Sequence, residues 1–94
     1  MNTNGSSRSY SLVLSPRFEK ILKSLKRRKP TLLRDLERQI EKVLKEPVLG
    51  KPLRNVLRNY RRVHIGSFVL IYEIYHKEIR LIDFDHHDRI YKKY

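Results

Sequence analysis

Arg62 and His64 stand two residues apart in the run Tyr60-Arg61-Arg62-Val63-His64-Ile65, and near its end the chain carries His86-His87-Asp88-Arg89-Ile90-Tyr91. Strand positions two apart share a face, so the Arg62 guanidinium and the His64 imidazole point the same way, toward wherever the second cluster folds back. An arginine fork matches phosphate oxygens and stays charged. Histidine, with an unperturbed pKa of about 6.5, gives or takes a proton near neutrality. Together these groups make a phosphate site with proton donors beside it, able to offer a reacting phosphate a base, an acid and positive charge.

His64 and His87 are the candidate proton carriers, Arg62 the phosphate holder, and Tyr91 a hydrogen-bond donor or a ring on which a base stacks. Arg89, His86, Arg61 and Lys92 are candidate substrate contacts around them. His86 competes with His87, because adjacent residues at a strand end cannot both face one site. Each residue also has a plainer reading. Arg62 could be one more solvated cation, His64 the edge of a core, the histidine pair a polar cap, and Tyr91 a ring packed on the sheet. Asp83, Asp85, His86, His87 and Asp88 are ligand types for a divalent ion. Yet adjacent histidines diverge and the surroundings are cationic, so neither a metal nor another cofactor is expected. The acids are expected instead to neutralise arginines, Asp88 with Arg89 or Asp85 with Arg62.

The elements that must position these groups follow from periodicity. Tyr10, Leu12 and Leu14 alternate with Ser9, Ser11 and Val13, the signature of a strand. Ser15-Pro16 reads as a helix start, with a capping oxygen and a proline suited to the first turn. Phe18, Ile21, Leu22 and Leu25 make one apolar stripe, which the Lys26 to Lys29 cluster and Pro30 stop. From Thr31, Leu32, Leu33, Leu36, Ile40, Val43 and Leu44 mark a second helix that ends at Glu46-Pro47. So short a break predicts an antiparallel helical hairpin. Val48 to Pro52 reads as a loop. Val56-Leu57 then begins a strand that breaks at Arg58-Asn59, and Tyr60 to Ile65 continues it. Gly66-Ser67 is a turn, and the almost wholly apolar Phe68 to Tyr75 is a central strand covered on both faces. A tight turn at His76-Lys77, without the usual glycine or asparagine, leads to Ile79 to Phe84. The fold class is α+β: an antiparallel sheet with an N-terminal strand, a two-helix hairpin packed on one face and a C-terminal β-meander. Residues 1–8 read as a disordered lead-in to a single domain over 9–94.

Composition narrows the function. Lysine and arginine number 22 against 10 acids, a formal net charge of +12, which is best tolerated beside a polyanion or an acidic partner. From Lys51 to Arg62 there is no acid at all. The outer faces of both helices are cationic, fit for solvent, ribosomal RNA or a partner protein. The absence of cysteine excludes disulfides, thiolate catalysis and cysteine zinc sites. No apolar run approaches the roughly 18 residues of a membrane span, and Met1 to Arg8 lacks the apolar core of a signal peptide. The expectation is a soluble, cytoplasmic protein with no membrane partner.

Three segments carry a resemblance. YRRVHIGSFVLIYEI, with its tyrosine, alternating basic and apolar residues, glycine and apolar strand, resembles the pattern of the RelE/ParE toxin superfamily. DHHDRIY is similar to that family's short C-terminal signature, and EPVLGKPLRN to the loop before its sheet. The resemblance covers residues 9 to 94 in element order, with its motifs between Pro47 and Tyr91. It implies the toxin of a toxin–antitoxin pair, held in check by a cognate antitoxin, and in the RelE branch an endoribonuclease that cuts mRNA on the ribosome. Carried over by position, Arg62 and His64 fall on the two basic strand sites, His87 on the basic site of the tail and Tyr91 on its tyrosine. Val69 stands where many relatives have an arginine, so that phosphate contact must come from elsewhere, Arg89 or Lys92 being the candidates. Two alternatives compete: a ParE-like inhibitor of DNA gyrase, which needs no histidine pair, and a nucleic-acid-binding module without catalysis.

Overall fold

Ser15 caps the first helix as its residue type predicts, its hydroxyl oxygen accepting from the Phe18 amide at 3.0 Å, with Pro16 in the first turn. The computed structural model describes residues 10–53 and 59–94. The lead-in over 1–8 and the strand start at Val56-Leu57 lie outside the described residues. Strand β1 (Ser11–Leu14) leads into α1 (Pro16–Arg28), and Lys29 alone links it to α2 (Pro30–Lys45). Pro30 thus opens the second helix as well as ending the first. A 3-10 turn (Pro47–Leu49) and the two-residue β2 (Lys51–Pro52) occupy the expected loop. The long strands follow: β3 (Tyr60–Ile65), β4 (Phe68–Tyr75) and β5 (Glu78–His86).

The strands form one sheet in the order β1-β5-β4-β3-β2. The β2, β3, β4 and β5 neighbours are antiparallel, as the meander predicts. The sheet as a whole is mixed, because β1 runs parallel to β5, Ser11 beside Glu78 and Leu14 beside Leu81. The helical hairpin covers one face. Phe18, Leu25, Leu36, Ile40 and Val43 pack on Leu70, Tyr72, Ile79, Leu81 and Phe84. Among the described residues, no helix is long and apolar enough to cross a membrane.

Both hairpin turns fall where the sequence puts them. Gly66 has φ +62°, a conformation open to glycine without steric cost. His76 also takes a positive φ, 54°, which for a residue with a Cβ costs about 1 kcal/mol.

A helix absent from the sequence reading covers the other face. Residues His87–Lys93 form α3, whose Ile90 is fully buried on Val69 and Ile71. Seven residues cannot hold a helix alone in water. Burial of Ile90, worth about 2 kcal/mol, and three capping features support it. The His86 Nδ1 accepts from the Asp88 amide at 3.2 Å, Asp88 sits at the positive end and Lys92 and Lys93 at the negative one. The His87 amide, left free by the helix, donates to the Ser67 carbonyl at 2.9 Å. The central strand β4 is therefore covered on both faces, the second cover being this helix.

Candidate active site

Alternation along β3 places Tyr60, Arg62 and His64 on the α3 face, opposite Glu73, Ile71 and Val69 of β4. His64 is exposed, and its Nε2 lies 2.9 Å from the Tyr91 hydroxyl of α3. The strand and the tail thus converge as the sequence predicts, through His64 and Tyr91. His87 sits one helical turn before Tyr91, and residues four apart on a helix share a face, so it extends the same row. No hydrogen bond or ring contact joins His87 to His64. The His87 ring lies 4.5 Å from that of His86, with Nδ1 2.9 Å from Asp88 Oδ1.

Arg62 lines an open cleft of about 300 Å³ with Gln39, Lys42, Leu49, Lys51, Val63 and His64. Its Nε, like that of Arg61, is buried and has no hydrogen-bond partner among the described residues, and a buried donor without an acceptor costs free energy. Lys51 pairs with Arg62 across the β2–β3 ladder, and Lys42 comes from α2. Neither lysine was singled out from sequence, although Lys51 opens the acid-free basic run that carries the signal.

The other sequence candidates are engaged elsewhere. Arg61 is on the opposite face, where Nη1 donates to the Gly50 carbonyl at 2.6 Å and clamps a loop. His86 caps α3 and sets its ring edge-on to Phe68 at 5.7 Å. Arg89 donates to Asp85 at 2.9 Å, and Lys92, two positions from the buried Ile90, projects from the outer side of the helix. Val69 is buried under Ile90, so the basic groups nearest His64 come from β2, β3 and α2, and neither Arg89 nor Lys92 fills that place. The expected ion pairs are also redistributed. Asp85 pairs with Arg89 and Lys93, while the Asp88 carboxylate lies 2.9 Å from His87 Nδ1. Burial alone would raise the Asp85 carboxyl, but the His86 amide, Arg89 and Lys93 outweigh it and hold it below its ordinary value. Among the described residues, His86, His87 and Asp88 bring potential ligand atoms within 4.8 Å of one another; the capping bond and the His87–Asp88 contact account for that closeness.

The loop from Pro47 to Gly50, beside the cleft, is pinned by Tyr72. Its buried hydroxyl accepts from the Gly50 amide at 2.9 Å and donates to the Pro47 carbonyl at 2.5 Å. Burial raises its pKa, against the Gly50 bond and the Arg61 charge. A Cβ on Gly50 would lie 2.8 Å from both the Arg62 carbonyl and the Tyr72 hydroxyl. Neither can retreat, one being backbone and the other a buried ring. Gly50→Ala is therefore expected to lower stability by about 1–3 kcal/mol, read as a shift in the urea midpoint, and to push Lys51 away from Arg62.

A second cleft, of about 440 Å³, lies between α1 and the β5 edge, with Arg17, Lys20, Arg28, Lys29 and Arg89 among its lining residues. It contains no histidine and makes the outer face of α1 a cationic surface, as the sequence predicts.

Comparison with known proteins identifies the family and the fold. Residues 12–91 match the family of ParE toxins of type II toxin–antitoxin systems. A candidate toxin, RelE4, from Methanocaldococcus jannaschii is 38% identical over 87 residues, covering 89% of this chain and 93% of its own. The RelBE2 toxin–antitoxin complex from Mycobacterium tuberculosis contains a chain that superposes with a TM-score of 0.68 at 26% identity, over 83% of this chain and 98% of that one. The free E. coli toxin RelE, in a substituted form, gives a TM-score of 0.71 at 19% identity over 89% and 92% of the two chains, a likeness of fold. The chain thus belongs to the ParE toxin family, within the RelE/ParE superfamily, and is a toxin of a type II toxin–antitoxin system.

Proposed function

We propose that this toxin is a ribosome-dependent endoribonuclease that cleaves mRNA by metal-independent attack of the 2′-hydroxyl, stopping translation and growth. The observation that carries the reading is the convergence of His64 and Tyr91 beside the unpartnered Arg62. The scissile phosphate enters the cleft, where Arg62, Lys51 and Lys42 neutralise charge that grows as the phosphorane forms. His64 and His87 carry protons to and from the attacking and leaving oxygens. Tyr91, between them, orients the His64 imidazole or yields its bond to substrate. The cationic outer faces of α1 and α2 contact ribosomal RNA in the cytoplasm, and a cognate antitoxin with acidic character covers the site.

Purified toxin added to ribosomes programmed with a defined mRNA tests this directly. Cleavage within the coding sequence, mapped by primer extension, is the expected result. The match to ParE toxins favours a second reading, inhibition of DNA gyrase by binding alone. On that reading the same preparation blocks supercoiling, leaves mRNA intact, and is unaffected by loss of His64.

A further inference from the structure

Asp83 is the most deeply buried acid among the described residues, with 1% of its surface exposed. Its two oxygens accept from its own strand, from α1 and from the end of α3. Oδ1 accepts from the Phe84 amide at 2.8 Å and from Arg17 Nε of α1 at 3.3 Å. Oδ2 accepts from Lys93 Nζ of α3 at 2.9 Å and from the Tyr94 hydroxyl at 3.4 Å. Burial first, and then the Asp83 charge, push the Tyr94 phenol up to about 12, so it remains a donor throughout the physiological range.

The sheet is built to present this carboxylate to α3. Ladder partners run Ile71 to Asp83 and then Tyr72 to Leu81, so Ile82 is an extra residue, a β-bulge. Strand side chains alternate, and a one-residue slip reverses every face. Without the bulge, Asp83 would share the hairpin-side face with Leu81. With it, Asp83 faces α3, where Ile90 docks and the Tyr94 ring meets Tyr60 edge-on at 5.9 Å.

We infer that Asp83 is a positioning residue, holding α3 through Lys93 and Tyr94 so that Tyr91, two residues before the clasp, meets His64. A seven-residue helix has too few backbone bonds to fix its own angle. Ile90 fixes where it lies on the sheet, a contact about which it can still roll. The clasp one turn further along removes that freedom and sets the direction of the Tyr91 ring. Arg17 completes the charge balance from the other side of β5.

The inference rests on the nuclease reading for its activity arm only. Its structural arm is the imidazole nitrogen spectrum of His64, with Tyr91→Phe marking the signal without the hydroxyl. Asp83→Asn is expected to move the His64 signals to those of Tyr91→Phe and to strip amide protection from α3, while β4 amides stay protected. In the cleavage assay Asp83→Asn should lose about ten-fold, as Tyr91→Phe does, and the double variant should be no worse than either, since the two act through one interaction. Lys93→Met, which cuts the clasp from the exposed side, should give the same spectrum and serves if Asp83→Asn fails to fold. Unchanged His64 signals in Lys93→Met or in folded Asp83→Asn would overturn the inference, as would additive losses in the double variant. Wild-type protein that leaves mRNA uncut would overturn the nuclease reading alone, and the spectrum would still decide for or against the clasp.

Discussion

His64→Ala is expected to lower mRNA cleavage on programmed ribosomes by about 10²–10⁴-fold, the range for loss of a positioned general acid or base. The imidazole is exposed and touches only the Tyr91 hydroxyl, so its removal leaves both cores intact. Stability should therefore change little, and the variant should still fold and bind its antitoxin. Tyr91→Phe, which removes one hydrogen bond and keeps the ring, should cost far less than His64→Ala. A cleavage rate in His64→Ala within two-fold of wild type would remove the histidine from the chemistry.

Arg62→Ala is the second large effect, an expected loss of about 10²–10³-fold in cleavage, the cost of deleting one preorganised charge-stabilising donor. Stability should move the other way. The Arg62 Nε is buried without an acceptor among the described residues, so the folded protein carries a desolvation cost there, and stabilising such a position commonly costs function. Arg62→Leu, which keeps the apolar stem, should raise the urea midpoint while abolishing cleavage. Arg62→Lys should restore only part of the activity, because an ammonium cannot present two parallel donors to a phosphate. A variant both less stable and fully active would mean that Arg62 is a structural residue.

Much of this was legible in the residues. The helical hairpin is written in the stripes from Phe18 to Leu25 and Leu32 to Leu44, with Ser15, Pro16 and Pro30 as punctuation. The meander is written in the change to period two after Tyr60. The direction of β1 was not legible, because alternation looks the same in a parallel as in an antiparallel strand, and only the far edge of β5 decides it. The third helix was hidden for a related reason. With one buried residue in seven, Ile90, it has no stripe to read. Its start was disguised, since the adjacent histidines read as a polar end to the strand when one of them is an N-cap.

That hidden helix also decides where the candidate site residues lie. Alternation puts Arg62 and His64 on its face of the sheet, and Tyr91 meets His64 from the helix itself. His86 and Arg61 have the right chemistry, yet one caps α3 and the other holds the loop at Gly50. The Ile82 bulge matters in the same way: it sends Asp83 to the α3 face, which no pattern of hydrophobicity announces. Lys42 is brought to the cleft by packing of α2 over the β3 edge, a tertiary fact without a local sequence signal.

The most direct measurement is the chemistry of the cut ends, made on programmed ribosomes. Attack by the 2′-hydroxyl leaves a 2′,3′-cyclic phosphate on the upstream fragment and a 5′-hydroxyl on the downstream one, and the arrangement of His64, Tyr91 and Arg62 predicts those ends. Fragments bearing 5′-phosphates, or intact mRNA alongside blocked supercoiling, would contradict it.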